Sequence, residues 1–282
     1  MPSRTLRATG IVTLVAAALL GSAYALGRSL VPDQPGHDTG VPASVHSPHY
    51  ADQPPAPVGS PATTGAPASP TEHGQDPADD DQGPFGSLVS TGTPRVALTF
   101  DDGPDPQYTP QVLALLREYG VKATFCVVGE NSAAHPELIQ AIVAEGHTLC
   151  NHSWNHDITL GTRPRDAIRA DLLRTNAAIR AAVPDARIEY FRQPGGAWTY
   201  PVVAACEELG MAPLHWTVDP SDWQAPGALR ITATVMTETA PGAIVLLHDA
   251  GGDRTGTVEA LQRLLPELMV RFQLEALPNG TT

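Results

Sequence analysis

Short apolar runs of strand length alternate with segments of helical periodicity from residue 94 to the end of the chain, and this alternation limits the fold more than any other feature. Strands are predicted at residues 95–100, 123–128, 147–150, 188–191, 211–218 and 243–247. Helices are predicted between or after them, at residues 109–119, 136–145, 165–183, 201–209, 229–239 and 258–270. Strands joined by helical crossovers pair in parallel. So many units in fewer than 200 residues favour a closed or nearly closed α/β barrel, although their spacing does not exclude an open sheet.

An apolar segment stands near the start of the chain. Arg4 and Arg7 precede the uncharged residues 8–27, and Arg28 follows them. A basic flank followed by an apolar run is typical of an export signal. The small residues around position 24 suit cleavage by a signal peptidase, but twenty helical residues also span about 30 Å and could remain as a membrane anchor. We predict that residues 1–30 are a signal peptide or a single N-terminal membrane anchor. The rest of the chain is then secreted, or anchored facing the cell wall.

The next segment, residues 31–92, has the composition of a linker. Residues 31–90 contain 12 prolines, 7 glycines and 8 acidic side chains, and neither lysine nor arginine. Such a chain buries too little apolar surface to offset the entropy lost on ordering. We predict a disordered, acidic spacer that precedes a single folded domain at residues 93–277, with residues 278–282 as a tail.

Charge excludes one class of function. The formal net charge is -13 at pH 7, and a nucleic-acid-binding protein normally presents a basic face. The polar residues of the folded part instead follow the predicted strands, where the active sites of parallel α/β proteins collect. They are Asp101 and Asp102, His152 and His156, Arg192, Asp219 and Asp222, and His248 and Asp249.

Two imidazoles and a carboxylate in this set have the chemistry of a metal site. His152 and His156 are four residues apart, and the Asp101-Asp102 pair lies at the same predicted rim. Three protein ligands with an open position are typical of a metal that activates water. Two adjacent buried carboxylates also repel each other unless a cation is present. One of the two can bind the ion while the other faces a substrate.

Five short motifs in order resemble the polysaccharide deacetylases, also known as the NodB-homology group or family 4 carbohydrate esterases. The match covers roughly residues 93–277 and implies a distorted (β/α) barrel of seven or eight parallel strands. It also implies metal-dependent hydrolysis of acetyl groups on amino-sugar polymers. The motifs are Thr99-Phe-Asp101-Asp102-Gly103, His152-Ser-x-x-His156, Arg192-x-Pro194-x-Gly196, Asp219-x-x-Asp222-Trp223 and Leu246-x-His248.

The resemblance implies a role for each matching residue. Asp102, His152 and His156 would hold one divalent ion, usually zinc and sometimes cobalt or another metal. Asp101 would be the general base and His248 the general acid.

The remaining matched residues would support these groups or bind the substrate. Arg192 would orient Asp101, and Asp222 would pair with His248. The backbone N–H of Gly195 would stabilise the oxyanion, and Trp223 and Leu246 would shape the groove and the acetyl pocket.

The chain departs from the family pattern at a few positions. Gly195 stands where relatives often have an aromatic residue, so one wall of the groove is expected to be missing; Trp198 either restores stacking or is structural. Cys126 and Cys150 are expected to be inert buried thiols. The alternatives are a disulfide, if their strands are neighbours, and a thiolate ligand at Cys150. Cys206, on a helix, is expected to have no partner within the chain.

Several other polar or aromatic residues are expected to be structural. They are His147, His215, Asp105, Trp216, Asp219 and Asp249. The last two are expected to support their loops, with a direct role in the site as the alternative.

Three functions are consistent with the sequence. The preferred one is an exported, metal-dependent N-deacetylase of peptidoglycan or a chitin-like polymer. The second is an esterase that removes O-acetyl groups from a polysaccharide such as xylan. The third is a glycan-binding protein that has lost catalysis, although such a protein would be expected to lack Asp101 or His248, and both are present.

Overall fold

A computed structural model describes residues 82–279. The predicted export segment and most of the predicted linker lie outside these residues. Within the described part, no helix is both long enough and apolar enough to span a membrane.

The domain is built on one sheet of six parallel strands with the order β5-β4-β3-β2-β1-β6. The strands are β1 (Ala97–Asp101), β2 (Thr124–Val127), β3 (Thr148–Asn151), β4 (Ile188–Phe191), β5 (Ala212–Pro213) and β6 (Ile244–His248). The predicted parallel α/β architecture is therefore present, with six strands in the described residues rather than the seven or eight expected.

Seven α-helices accompany the sheet in the described residues. They are α1 (Thr109–Glu118), α2 (Gly129–Ala134), α3 (Pro136–Ala144), α4 (Arg165–Ala182), α5 (Tyr200–Glu208), α6 (Ala228–Glu238) and α7 (Thr255–Arg271). Only α2 was not predicted, because its sequence, Gly-Glu-Asn-Ser-Ala-Ala, has no apolar stripe.

The two faces of β1 contact different groups of residues. In β1, Leu98 and Phe100 pack into the large core between the sheet and the helices, whereas Ala97 belongs to a small cluster on the opposite face. Because side chains alternate along a strand, Thr99 and Asp101 share the face of Ala97. The sheet curls around this second face, which therefore carries polar side chains from β1 toward the strand ends.

The segment after β5 joins the two edges of the curled sheet. Leu214 N–H donates to Phe191 O of β4, whereas Thr217 N–H donates to Ile244 O of β6 and Leu246 N–H donates to Val218 O. The strand predicted at residues 211–218 is thus divided between two neighbours. The curl is closed here by short bridges and not by a full seventh strand.

The N-terminal residues of the described part make a second connection between the same two edges. Leu88 N–H donates to Pro213 O and His215 N–H donates to Leu88 O, while Thr91 N–H donates to Gly242 O just before β6. Residues that were assigned to the linker by composition therefore pair with the sheet, so the ordered domain begins before residue 93.

Cys126 and Cys150 form a disulfide, and the preferred expectation of two inert thiols was wrong. β2 and β3 are neighbours, with Cys126 directly opposite Cys150 in the register. The disulfide also excludes Cys150 as a thiolate metal ligand. Cys206 is free and buried in α5, as expected, and burial raises the pKa of its thiol to about 12.

Candidate active site

The strand order brings the predicted site residues to one end of the sheet. Asp101 and His248 end the neighbouring strands β1 and β6 and are paired in the register. His152 follows β3 directly and Arg192 follows β4 directly. Asp222 reaches the same place from the segment after β5, because its carboxylate contacts His248.

Asp102, His152 and His156 form a cluster in which all three donor atoms lie within 4.8 Å of one another. Asp102 Oδ1 is 3.4 Å from His152 Nε2 and 3.3 Å from His156 Nε2. Asp102 and His156 both have left-handed backbone conformations, with φ of 75° and 55°. Non-glycine residues seldom adopt this conformation, and here it accompanies the convergence of their side chains.

Hydrogen bonding prepares the cluster for a cation. His152 Nδ1 lies 2.8 Å from Arg192 O and donates its proton to that carbonyl, so Nε2 is the nitrogen that faces Asp102. Burial would raise the pKa of Asp102, but His156 and His152 more than offset it and hold that pKa well below its usual range. Burial lowers the pKa of His156, although Asp102 opposes the effect. A charged carboxylate and neutral imidazoles are the states that bind a divalent ion, and the residues fit one.

The loop between the two histidines is held from outside by its central residue. Trp154 Nε1 donates to Glu130 Oε1 at 2.9 Å, and Trp154 N–H donates to Asp171 Oδ1 at 2.8 Å. The guanidinium of Arg174 lies 3.6 Å from the centre of the indole ring. Contacts to α2 and α4 therefore fix the spacing of His152 and His156.

Asp101 is bound by Arg192 and lies beside the cluster. Arg192 Nη1 donates to Asp101 Oδ1 at 2.6 Å and to Thr99 Oγ1 at 2.8 Å. Asp101 Oδ2 is 3.7 Å from His152 Nε2. One carboxylate oxygen is thus held by the guanidinium, and the other faces the cluster.

His248 and Asp222 form a second acid–imidazole pair. His248 Nδ1 is 2.7 Å from Asp222 Oδ1, while Asp222 Oδ2 accepts hydrogen bonds from His248 N–H and the Thr257 hydroxyl. Burial alone would lower the pKa of His248. The charge and hydrogen bond of Asp222, with Asp102 and Asp101, reverse this and raise it to about 9. His248 is therefore an imidazolium at neutral pH, with Nε2 left to donate a proton.

An open cleft lies over these groups. The predicted substrate-binding residues Gly195, Trp223 and Leu246 line it together with Asp101 and His248.

No binding or catalytic role was predicted for three further residues of the cleft. Gln193, Trp216 and Asp219 also line it, although Trp216 was expected to be structural and Asp219 to support its loop. The pair of glycines at 195 and 196 was the signal in the sequence for these cleft residues, because two residues without side chains leave room beside them.

Asp249 lies behind the site and not in the cleft. Its Oδ2 accepts a hydrogen bond from the Thr109 hydroxyl at 2.5 Å, and among the described residues no group donates to Oδ1. A side chain at Gly103 would come within 2.6 Å of both carboxylate oxygens, so the Asp101-Asp102-Gly103 turn packs directly against Asp249. Burial, together with Asp102 and Asp101, raises the pKa of Asp249 to about 7 against the effect of Thr109.

A family model described as polysaccharide deacetylase matches residues 89–214. A chitooligosaccharide deacetylase of Sinorhizobium fredii is 43% identical over 201 residues, which are 67% of this chain and 93% of the relative. A peptidoglycan-N-acetylglucosamine deacetylase of Bacillus cereus is 40% identical over 175 residues, 61% of this chain and 81% of the relative.

This chain belongs to the polysaccharide deacetylase family. Among solved structures, the Bc1960 peptidoglycan N-acetylglucosamine deacetylase aligns with a TM-score of 0.64 and 32% identity, covering 67% of this chain and 90% of that one. A family 4 pseudoenzyme from Bacillus anthracis aligns with a TM-score of 0.62 and 29% identity, covering 67% of this chain and 66% of the other. A pseudoenzyme shares the deacetylase fold, so activity depends on the residues of the site and does not follow from the fold alone.

Replacing Asp249 by asparagine is expected to stabilise the chelator-treated protein at pH 8 and to have little effect near pH 4. The carboxyl pKa is 3.8 when unfolded and about 7 when folded, so the native state holds the proton more tightly. The free energy of unfolding of the unsubstituted protein therefore falls as pH rises through this window, by as much as a few kcal/mol. Asparagine does not titrate, and so it avoids this loss.

Thermal melts between pH 4 and pH 8 measure the effect. The control is Asp185→Asn, because Asp185 is an exposed residue before β4. If Asp249→Asn and Asp185→Asn change the melting temperature equally at every pH, Asp249 does not have a raised pKa.

Proposed function

We propose that this polysaccharide deacetylase is an exported, metal-dependent hydrolase that removes N-acetyl groups from an amino-sugar polymer of the peptidoglycan or chitin type. The observation that carries the proposal is the arrangement at the end of the sheet. A cluster suited to a divalent ion, a carboxylate held by arginine and a charged imidazole all border one cleft. The relatives named as deacetylases of chitooligosaccharide and peptidoglycan support the choice of substrate class.

Asp102, His152 and His156 would hold the ion, for which zinc is our proposal and cobalt the alternative. An ion bound there supplies a Lewis acid that polarises the acetyl carbonyl and makes water acidic enough to deprotonate near neutral pH. The residues of the chain then have to remove a proton from water, stabilise negative charge on the carbonyl oxygen and protonate the departing nitrogen.

Asp101 is positioned as the base. Arg192 donates a hydrogen bond to Oδ1 of Asp101. The other oxygen, Oδ2, faces the cluster of proposed metal ligands and would accept the proton from the attacking water. Gly195 borders the cleft, and its backbone N–H would donate a hydrogen bond to the oxyanion. A donor fixed in place before the reaction stabilises the transition state without a cost of reorganisation.

His248 is positioned as the acid. Asp222 holds Nδ1 and keeps the ring charged, so Nε2 delivers the proton to the nitrogen of the sugar. The amine is a poor leaving group unless it is protonated, and the raised pKa of His248 supplies the acid at neutral pH.

An extracytoplasmic location is part of the proposal. The basic and apolar leader at residues 1–30, cleaved or retained as an anchor, and the acidic spacer after it support this placement. The Cys126–Cys150 disulfide supports it as well, since disulfides persist mainly in oxidising compartments. Cell fractionation of the full chain tests the location, and recovery in the cytosolic fraction would contradict it.

Acetate release and mass spectrometry test the reaction itself. The zinc-loaded protein is incubated with peptidoglycan fragments, oligomers of N-acetylglucosamine and acetylated xylan. We expect free amines on an amino sugar, and a rate reduced at least about 100-fold in Asp101→Asn, since a general base contributes about 10²–10⁴-fold. Acetate from xylan alone would indicate an O-acetyl esterase. No acetate from any glycan would indicate a binding protein without catalysis.

His152→Ala is expected to lower the bound metal measured by elemental analysis after dialysis. The substitution removes one of the three donor atoms in the cluster. His147→Ala is the matched control, because that buried histidine accepts a hydrogen bond from Ala123 N–H and lies outside the cluster. Equal metal content in His152→Ala and His147→Ala would show that the ligands are assigned wrongly.

Asp222→Asn is expected to move the alkaline limb of the activity profile to lower pH by about one unit or more. His248 acts in its charged form, so activity is lost as pH rises through its pKa, and Asp222 is the main group that raises that pKa. Thr257→Val is the control, since it removes a hydrogen bond to Asp222 but no charge. If the alkaline limb of Asp222→Asn lies at the same pH as that of the unsubstituted protein, His248 is not the general acid.

A further inference from the structure

The Cys126–Cys150 disulfide lies next to the groups of the proposed site. Cys126 is the register partner of Cys150 in β3 and also of Asp101 in β1. Both cysteines are fully buried and belong to the small cluster on the face around which the sheet curls. His152 follows Cys150 by two residues. The disulfide therefore lies in the same row of the sheet as the proposed base, and just before a proposed metal ligand.

The end of β2 connects the two chain segments that carry the proposed ligands. Val128 N–H donates to Gly103 O, directly after Asp102, at 2.9 Å, and His152 N–H donates to Val127 O at 3.0 Å. β2 itself contributes none of the three side chains of the cluster. The position of Asp102 relative to His152 is therefore set through β2, by its pairing with β1 on one side and with β3 on the other.

The helix that follows β2 contacts the same two segments. The side-chain amide of Asn131 in α2 donates to Asp102 O at 2.8 Å. Gly129 N–H donates to Ser153 O at 3.0 Å, and Glu130 N–H donates to Trp154 O at 2.8 Å. Both of these carbonyls lie between the two histidines of the cluster. β2 and α2 thus form one support to which both ligand-bearing segments are bound.

On its other side, β3 is paired irregularly. Residues 149–151 of β3 are matched to residues 188–191 of β4, so that β4 contains one residue more over the same length. Cys150 lies at this irregularity, whereas the register between β3 and β2 is regular along the whole of β3. The position of His152 therefore depends on the pairing with β2, and the disulfide is the covalent part of that pairing.

We propose that the Cys126–Cys150 disulfide is a positioning element of the metal site. It holds β3 at a fixed level against β2 and thereby sets the distance between the carboxylate of Asp102 and the imidazole of His152. The donor atoms of a metal site have to lie within about 0.2 Å of their proper distances, so a small shift of β3 weakens binding although all three ligands are present. This inference rests on the proposed function for the divalent ion, but not for the hydrolysis of a glycan.

Zinc affinity tests the proposal without turnover. The Kd of zinc is measured by competition with a chromophoric chelator, well below the melting temperature. Cys126→Ala/Cys150→Ala removes the bond and both sulfur atoms, so no freed thiol can bind the ion. We expect the Kd to rise about 10-fold or more, since loss of a group that orients a metal ligand costs about 10–100-fold in affinity. An unchanged Kd overturns the proposal.

Cys206→Ala is the matched control for the loss of a cysteine. Cys206 is buried like the other two but forms no disulfide, and it lies in α5, away from β2 and β3. The Kd of zinc is expected to be the same in Cys206→Ala as in the unsubstituted protein. A rise in Kd equal to that of the double variant would show that the disulfide has no particular role, and would overturn the proposal.

A second control separates positioning from stability. Loss of a disulfide destabilises a fold wherever the bond lies, because the unfolded chain becomes less constrained. Leu265→Ala also destabilises the fold, because Leu265 is fully buried in the large core. We expect this variant to melt at a lower temperature but to keep the Kd of zinc. If Leu265→Ala weakens zinc binding as much as the double cysteine variant does, the disulfide only stabilises the fold and the proposal is wrong.

Cys126→Ala/Cys150→Val serves as a second variant if the double alanine variant does not fold. Valine replaces part of the buried volume of the two sulfur atoms, and a β-branched residue suits a strand. Because the covalent bond is still absent, the same rise in the Kd of zinc is expected. An unchanged Kd in this variant overturns the proposal as well.

The bond itself is checked in the unsubstituted protein. The protein is unfolded without a reductant, alkylated and analysed by mass spectrometry. Alkylation of one cysteine out of three is expected, because only Cys206 is free. Alkylation of all three would show that the disulfide does not form, and would overturn the proposal.

The outcomes distinguish this inference from the proposed function. If zinc binding weakens without the disulfide but the unsubstituted protein releases no acetate from any glycan, the inference stands and the proposed function is wrong. If the protein releases acetate and the Kd of zinc is the same with and without the disulfide, the proposed function stands and the inference is wrong.

Discussion

The buried guanidinium of Arg192 is the interaction on which the site depends. Arg192 is fully buried, and its side chain holds Asp101 and Thr99 on β1 and the carbonyl of His215. Its own carbonyl fixes the tautomer of His152. A single residue thus connects the proposed base, a proposed metal ligand and the wall of the cleft. Removing one partner of a buried ion pair leaves an uncompensated charge, which lowers the stability of the fold. A change at Arg192 therefore affects the base, the metal ligand and the cleft wall together.

Two acid–imidazole pairs lie in one site and reach opposite protonation states. His156 is beside Asp102 and has a lowered pKa, because burial outweighs the carboxylate. His248 is hydrogen-bonded to Asp222 through Nδ1, and its pKa is raised to about 9. The charge of Asp222 and its hydrogen bond at 2.7 Å, together with Asp102 and Asp101, outweigh burial at His248, whereas His152 and His248 add to the effect of burial at His156. One imidazole is suited to bind a cation and the other to donate a proton, which is the division of roles that hydrolysis of an amide requires.

The sequence was sufficient to predict the strands and the residues at their ends, because apolar runs and turn residues are local signals. Features that depend on which segments become neighbours were predicted less well. The Cys126–Cys150 pair could not be decided until β2 and β3 were known to be adjacent. The predicted strand at 211–218 divides because its first half bonds to β4 and its second half to β6, and no local pattern in the sequence marks this change of partner. The sequence predicts a structural role for Trp216, because its place in the cleft depends on two glycines some twenty residues away.

The likeness to a pseudoenzyme distinguishes the residues that the fold requires from those that catalysis requires. The large core contains none of the charged residues of the site. Asp101 and His248 are paired in the sheet, but backbone groups make that pairing, so the fold can persist without these charged side chains. Asp101, Asp102 and Asp249 instead place three carboxyl groups together in a buried region, and burial, together with the charges of Asp102 and Asp101, raises the pKa of Asp249. Such an arrangement costs stability in the absence of a cation. The three acids lower the stability of the folded chain, and the core does not need them. Binding of a metal ion would offset this loss of stability.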